Sequence, residues 1–483
     1  MERRGQLGGI TPEAAKGQTQ RWQPLLPHLL RVNAAARRSG QTRFTALLHH
    51  VDIAALERAF KRQRRAASPG VDGVMVEEYE QNLEANLQRL HERVRSGQSW
   101  PKPVLRAYIP KADGGKRGLG LPVLEDKIVQ SAVAEVLNAI YEADFFGFSY
   151  GYRPGRSPHG ALGNLDRALK TQRVNWVLDF DIRSFFDSVD HEWMVRMLEH
   201  RIADRRILRL IRRWLTAGIL EGGEWVAAET GTPQGSGISP LLANVFLHYC
   251  LDAWIHQWRR RHARGQIVVV RYADDAVIGA EYEEDARRLS EALKERLVKF
   301  GLALNESKTR LIAFGRFAAE RRAEAGLRRP ETFNFLGFIY YCGETRSGRF
   351  TVKRKTQATR MTRKLKELRV EMRKRWHIPV PEQHSWLCQV LRGHDGYDGV
   401  TFNGRSLSQF HWLVQRMWFK ALQRRGRKVR LNWQQFARLL KVYPLPAVTI
   451  HQPWSSATAK PRDFSEEPGA LTAHARICGG ESQ

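Results

Sequence analysis

Residues 271–277 read RYADDAV, inside the longer run QIVVVRYADDAVIGA over 266–280. Two aspartates stand side by side between β-branched and apolar residues. Strands usually exclude Asp, and neighbouring carboxylates repel. The pattern predicts two short strands joined by a tight connection that carries Asp274 and Asp275. A bare Asp pair in such a connection also suits an Asx-type turn. A further acid stands out, Asp181 in LDFDIRSFFD, at the end of another predicted strand. If the two segments are neighbours in one sheet, three carboxylates converge at its edge. Such a cluster is costly unless a cation neutralises it. Hard divalent cations prefer oxygen ligands, and Mg²⁺ typically combines few carboxylates with substrate phosphates. Two ions about 3.5–4 Å apart would clamp the attacking and leaving oxygens of phosphoryl transfer. Asp181 alone equally suits a helix N-cap, and Asp179 and Asp187 read as surface or turn residues.

Composition narrows the chemistry. The 483 residues include 79 Lys+Arg against 50 Asp+Glu, a formal net charge of +29. That excess points to a polyanionic partner, most simply nucleic acid. A solvated basic surface or an acidic-membrane binder is the alternative. The charge is uneven: residues 346–430 hold 22 Lys+Arg and 5 Asp+Glu. The four cysteines, Cys250, Cys342, Cys388 and Cys478, form no CxxC pair. This argues against a zinc ribbon and a disulfide scaffold and suits a reducing cytoplasm. The N-terminus has no apolar signal core, and no apolar run approaches a membrane span.

Along the chain, helices and short strands mix as in an α+β fold with an antiparallel sheet. PVLRAYIPKADGGKRGLGLPVLEDK reads as strand, glycine turn and returning strand, followed by a helix from about Glu125 to Glu142. GTPQGSGISPLLANVFLHYCLDAWI is a glycine loop entering a helix. A helix follows the aspartate pair from about Glu284 to Phe300, then strand-like KTRLIAF and TFNFLGFIYY. Beyond about Gln357 the pattern is helical. Met361, Leu365, Leu368 and Met372 share one helix face, and Phe410, Leu413, Met417 and Ala421 share another. Residues 1–45 read as a loose leader and 447–483 as a flexible tail.

The ordered series YIPK, FSYGYRPGRS, DFDIRSFFDSVDH, GTPQGSGISPLLANVFLHYCLD, RYADDAV, LNESKTRLIAFG and FNFLGFIY resembles the reverse transcriptase domain of bacterial group II intron-encoded proteins. The C-terminal LRGHDGYDGV, NGRSLSQFHWLVQRMW and PLP resemble their maturase, or thumb, region. The resemblance implies a right-hand polymerase. Fingers would occupy 46–175, a palm 176–345 and a basic helical thumb/maturase region 346–446. It implies an RNA-directed DNA polymerase of a mobile group II intron that also binds the intron RNA and assists its splicing. Its partners would be that RNA, an RNA template with a DNA primer, a DNA target and dNTPs. Asp181, Asp274 and Asp275 would bind two Mg²⁺ ions, with the Ile182 carbonyl beside them. Adjacent strand residues face opposite ways, so Asp274 is expected to be the more direct ligand. Phe185 would stand against the sugar 2′-OH. Lys111 and Arg117 would hold the triphosphate, Gln234 would pack on nucleotide or template, and Tyr272 would support the primer end. GGKR lacks P-loop spacing.

The basic helices would grip RNA through phosphates, with Lys364, Arg373, Lys374, Arg424 and Arg425 as candidates. A solvated basic back on a packed helix pair is the alternative. His394, Tyr397, Trp412 and Trp418 are candidates to stack on unpaired bases, with core packing favoured for the two tryptophans. Many relatives continue into a DNA-binding segment and an H-N-H endonuclease. The expectation here is no endonuclease, with a primer from elsewhere, such as a nascent strand at a replication fork. Ser236 stands where many relatives have a second glycine. Two other readings remain open: a retron or diversity-generating reverse transcriptase, and an RNA-binding splicing cofactor without polymerase activity.

Overall fold

The computed structural model describes residues 26–110, 115–425 and 431–451. Lys111, residues 1–25 of the expected leader and residues 452–483 of the expected tail lie outside the described residues. The strands in chain order are β1 (Val104–Pro110), β2 (Lys116–Leu121), β3 (Trp176–Asp181), β4 (Ile219–Glu221), β5 (Glu224–Val226) and β6 (Ile267–Tyr272). They continue with β7 (Asp275–Ala280), β8 (Arg310–Ala313), β9 (Phe333–Phe335), β10 (Phe338–Glu344) and β11 (Phe350–Thr356). Together with helices they form an α+β fold. Among the described residues the chain divides into two compact units, one built from 26–164 with 178–311, the other from 165–177 with 312–451.

The first unit carries two four-stranded sheets. One has the order β6-β7-β3-β8, the other β2-β1-β4-β5. Pairing is antiparallel in both hairpins, β6 with β7 and β1 with β2, while β4 joins β1 in parallel at Val104 and Leu105. The near-continuous apolar runs of β6 and β7 are buried over Val268–Arg271 and Ala276–Ala280. The helix Leu124–Tyr141 is apolar around most of its circumference and correspondingly buried. Ile128, Val129, Ala132, Val133, Val136 and Leu137, the stripe read from the sequence, are all at most 2% exposed. The helix Ser239–Leu247 passes through a π-turn, His248–Asp252, into the helix Ala253–Arg261. The π-turn is buried throughout and re-aims Asp252 inward.

One expectation is corrected at the N-terminal end. Residues 27–38, placed in the leader by composition, form the helix Pro27–Arg38. Pro27 pre-sets the first turn, Leu29, Val32 and Ala36 are buried, and Asn33 Nδ2 donates to the Ala139 carbonyl at 2.7 Å. The apolar spacing is too short to stand out from a Gln- and Arg-rich background.

The second unit pairs the antiparallel sheet β11-β10-β9 with the helices Ala358–Lys374, Val380–Asp398, Gly404–Gln423 and Trp433–Val442. Leu368, Met372, Leu387, Leu391, Phe410, Val414 and Trp418 form its helical core. The buried stripe of Gly404–Gln423 runs through Leu407, Phe410, Val414 and Trp418. It is rotated from the expected one, for Leu413, Met417 and Ala421 are only half-buried. Among the described residues no helix is long and apolar enough to cross a membrane.

Candidate active site

Tyr272 pairs with Asp275 across the β6–β7 hairpin, leaving Ala273 and Asp274 as a two-residue connection. Ala273 has φ +57°, at the position glycine normally takes in such hairpins. A non-glycine residue keeps that conformation only where its surroundings over-determine it, and two neighbours do so. Gly151, in FSYGYRPGRS, lies so close that a Cβ on it would overlap the Ala273 amide nitrogen. Arg271 is fully buried, and its Nη1 donates to the Ala273 carbonyl at 2.8 Å.

The Arg271 guanidinium makes four further hydrogen bonds. Nε and Nη2 reach the two Asp252 carboxylate oxygens at 2.7 and 2.5 Å, Nη1 reaches Asn244 Oδ1 at 3.1 Å, and Nη2 reaches Ser149 Oγ at 2.7 Å. Asn244 in turn donates to the Gly151 carbonyl at 2.7 Å. The turn is thus anchored to a loop, a helix and the π-turn. Removing one partner of a buried ion pair of this kind typically costs about 3–5 kcal/mol.

β3 lies beside β7, and this brings Asp181 to the turn. Burial pushes the Asp274 carboxyl above the usual carboxylate range, the Asp181 charge adds to the rise, and Arg117 and Arg271 oppose it. The Asp181 charge thus acts on Asp274, whereas Asp275 opens β7 opposite Tyr272. Asp181 Oδ2 accepts from Lys308 Nζ at 2.9 Å and Asn305 Nδ2 at 3.4 Å. Lys308 thus supplies the cation beside the acid. The three carboxylates do not close into a ligand cage, and among the described residues no three His, Cys, Asp or Glu side chains group to hold a metal.

Ile182 is buried and forms a bridge with Leu304. Its neighbours bond that segment, Arg183 N to the Ala303 carbonyl and Asn305 N to the Asp181 carbonyl, both at 2.8 Å. Alternation along the strand turns the Ile182 carbonyl toward the β7 side.

The remaining predicted residues separate. Arg117, exposed on β2, is near enough to act on Asp274 and also on Tyr152. Gln234 is half-buried, and its carbonyl accepts from Gly120 N at 2.6 Å, which docks the glycine loop on β2. Ser236 Oγ donates to Gln130 Oε1 at 2.8 Å, and Gly237 N reaches the same oxygen at 3.1 Å. The serine therefore adds a loop anchor. Tyr272 is half-buried, with its ring 6.5 Å from that of Tyr152.

Phe185 is 2% exposed and packs edge-on against Phe186 and Phe246, in the segment just after Asp181. Phe186, 9% exposed, is less deeply covered, and its carbonyl accepts from Thr232 N of the glycine loop at 2.7 Å.

In the second unit, Arg373, Lys374 and Arg424 are exposed and Lys364 is half-buried, with Lys374 on Glu371 at 2.9 Å. Arg425 is also exposed but donates to the Trp376 and Ile378 carbonyls. It closes a loop, so its part in a phosphate surface is reduced. Of the four candidate stacking rings, Trp418 is buried with Nε1 on Gln383 at 2.9 Å. His394 is buried and stacks on Phe410 at 3.7 Å. Tyr397 donates to the Leu336 carbonyl at 3.0 Å. Trp412 alone of these is exposed.

Sequence reasoning missed Gly151, Arg271, Asn244, Asp252 and Lys308. All five stand inside recognised motifs, which was the available signal, but their roles become legible only through the contacts they make.

Acidic oxygens at the end of a sheet, beside a basic hairpin and a docked glycine loop, fit a nucleic-acid polymerase. The family described as reverse transcriptase (RNA-dependent DNA polymerase) matches residues 109–340. Protein YkfC of Escherichia coli K12 is 35% identical over 283 residues, covering 51% of this chain and 72% of that protein. The group II intron-encoded protein LtrA of Lactococcus lactis subsp. cremoris is 35% identical over 236 residues, 47% of this chain and 38% of LtrA. Nuclear intron maturase 1, mitochondrial, of Arabidopsis thaliana is 30% identical over 118 residues, 24% of this chain and 16% of that protein. The chain belongs to the reverse transcriptase family, among the group II intron reverse transcriptases and maturases.

Proposed function

We propose that the chain copies RNA into DNA by joining dNTPs to a primer 3′-OH, and that it also binds a group II intron RNA and assists its splicing. The observation that carries the reading is the place of Asp274 in the β6–β7 turn beside β3, which ends at Asp181, with the Asp181 charge raising the Asp274 carboxyl and Arg117 opposing it. The donor set suits Mg²⁺: it is all oxygen, it holds few carboxylates, and one of them already carries a cation in Lys308. Asp181, Asp274 and the Ile182 carbonyl would hold the metal, with Asp275 in support. Two bound Mg²⁺ ions would supply charge compensation for the attacking and leaving oxygens.

The chain's own residues do the rest. Arg117 offers a planar charged donor for a phosphate near Asp274. Gln234 and the glycine loop form a wall on β2. Phe185, four residues after Asp181, is proposed as the ring that stands against the sugar 2′-OH, with Phe186 packed edge-on beside it. Lys111 is proposed as a second phosphate contact from the same hairpin. No protein nucleophile is required, since phosphoryl transfer rests on positioning and electrostatics. We assign fingers, palm and thumb to residues 46–175, 176–345 and 346–446, and propose a DNA target and a cytoplasmic setting. These rest on the motif order and cysteine usage.

The deciding experiment is primer extension on an RNA template with Mg²⁺. Asp274→Ala should reduce cDNA to background and retain RNA binding. Near-normal extension by the variant would reject the metal assignment.

A further inference from the structure

The helix Gly404–Gln423 has no Asp or Glu in its twenty residues. Its exposed residues include Arg405, Ser408, Gln409, Trp412, Arg416 and Lys420, which recur at helical spacing along one side. Trp412 is 52% exposed, and the Arg416 guanidinium lies 4.6 Å from its ring centre. A large aromatic ring left in water on an acid-free helix has no account in the packing of this unit.

Trp412 borders a groove of about 460 Å³, within the range of ligand-sized clefts. Ser408, His411 and Gln415 line the helix side, and Pro444 and Pro446 line the other. Among the described residues no acidic side chain lines it. The proline side is held in place. Buried Asp395 accepts from Thr449 N at 3.2 Å and from His411 Nε2 at 2.8 Å, and His451 N donates to the Gly399 carbonyl at 2.8 Å. Residues 447–451, expected as the start of a flexible tail, are thus tied to the C-terminal end of the helix Val380–Asp398. The groove has an aromatic floor, rigid apolar flanks, three side chains able to hydrogen-bond, and cations along its helix.

We propose that this groove receives an unpaired base of single-stranded RNA, stacked on Trp412, with the adjoining phosphates on Arg405, Arg416 and Lys420. Aromatic faces accept any base, while Ser408, His411 and Gln415 meet its edge. The Arg416 guanidinium fixes the indole before binding, which lowers the ordering cost. The positive helix favours a polyanion over an apolar peptide as occupant. The inference rests on the reading of the chain as an RNA binder and adds a specific single-strand site to it.

The test is fluorescence anisotropy of the full chain with a short fluorescein-labelled oligoadenylate RNA, without dNTP or Mg²⁺, beside a labelled RNA duplex. Trp412→Ala should weaken oligoadenylate binding roughly tenfold and leave duplex binding within about twofold. Trp412→Phe should recover most of the loss. Arg405→Gln or Lys420→Gln should lower the salt slope by about 0.7 for each charge removed. Equal affinity of wild type and Trp412→Ala for oligoadenylate would overturn the site while leaving the RNA-binding reading intact. Equal losses on single strand and duplex would also overturn it, since stacking cannot act on paired bases. A wild type that binds neither RNA would overturn both. The assay needs no polymerisation, so failure of the catalytic reading would show only in primer extension.

Discussion

Gly151 and Ala273 are in backbone contact across 122 residues of sequence, with no room for a side-chain carbon on the glycine. The contact lies one residue from Asp274 and holds the only strained residue of the hairpin connection. The aspartate pair is therefore presented by packing from a distant loop as much as by the hairpin itself.

Gly151→Ala should displace that connection. Overpacking of this kind costs about 1–3 kcal/mol, so the thermal midpoint should fall and primer extension should fall further than stability alone explains. Comparing extension at a temperature where both proteins are folded separates the two effects. Unchanged extension there would show that the turn relaxes without moving Asp274.

Lys308 is the cation on Asp181, and on the proposed reading it competes with Mg²⁺ for the same oxygen. Lys308→Met should lower the Mg²⁺ concentration needed for half-maximal extension. Binding of Mn²⁺ followed by electron paramagnetic resonance should tighten in parallel. The side chain is 63% exposed, so the effect should be a few-fold, in keeping with the modest worth of exposed pairs. A higher metal requirement would show that Lys308 positions Asp181 for metal instead.

Asp126 provides a pH test away from the site. Burial pushes its carboxyl up to about 7, against a backbone hydrogen bond from Lys102. A raised folded-state pKa means that the protonated form is favoured on folding. Its contribution is complete below about pH 4 and is lost as pH rises through about 7. Asp126→Asn keeps the acceptor and removes the titration. The stability of wild type relative to this variant should therefore decline between those pH values. A difference independent of pH would place the carboxyl in water.

What was legible in the sequence was local. The aspartate pair, Asp181, the glycine loop and the apolar stripe of Leu124–Tyr141 each announce themselves within a dozen residues. Phe185 and Phe186 show the limit: both are Phe in the right motif, and only the turn after β3 decides which is deeper. Arg425 shows another, for a cation in a basic run can be holding loop carbonyls. The helix Pro27–Arg38 has a weak apolar pattern and gains its place from Leu29, Val32 and Asn33 meeting the body of the unit. Sequence cannot report partners that lie a hundred residues away.

The buried guanidinium of Arg271 also fixes which aspartate does what. Sliding β6 against β7 by one residue would turn Arg271 outward, abandon its five hydrogen bonds and carry Tyr272 inward. The same slip would exchange Asp274 and Asp275 at the edge facing Asp181. On the proposed reading, this buried arginine selects the acid that would bind the metal, and a change at position 271 would act as a change of catalytic residue.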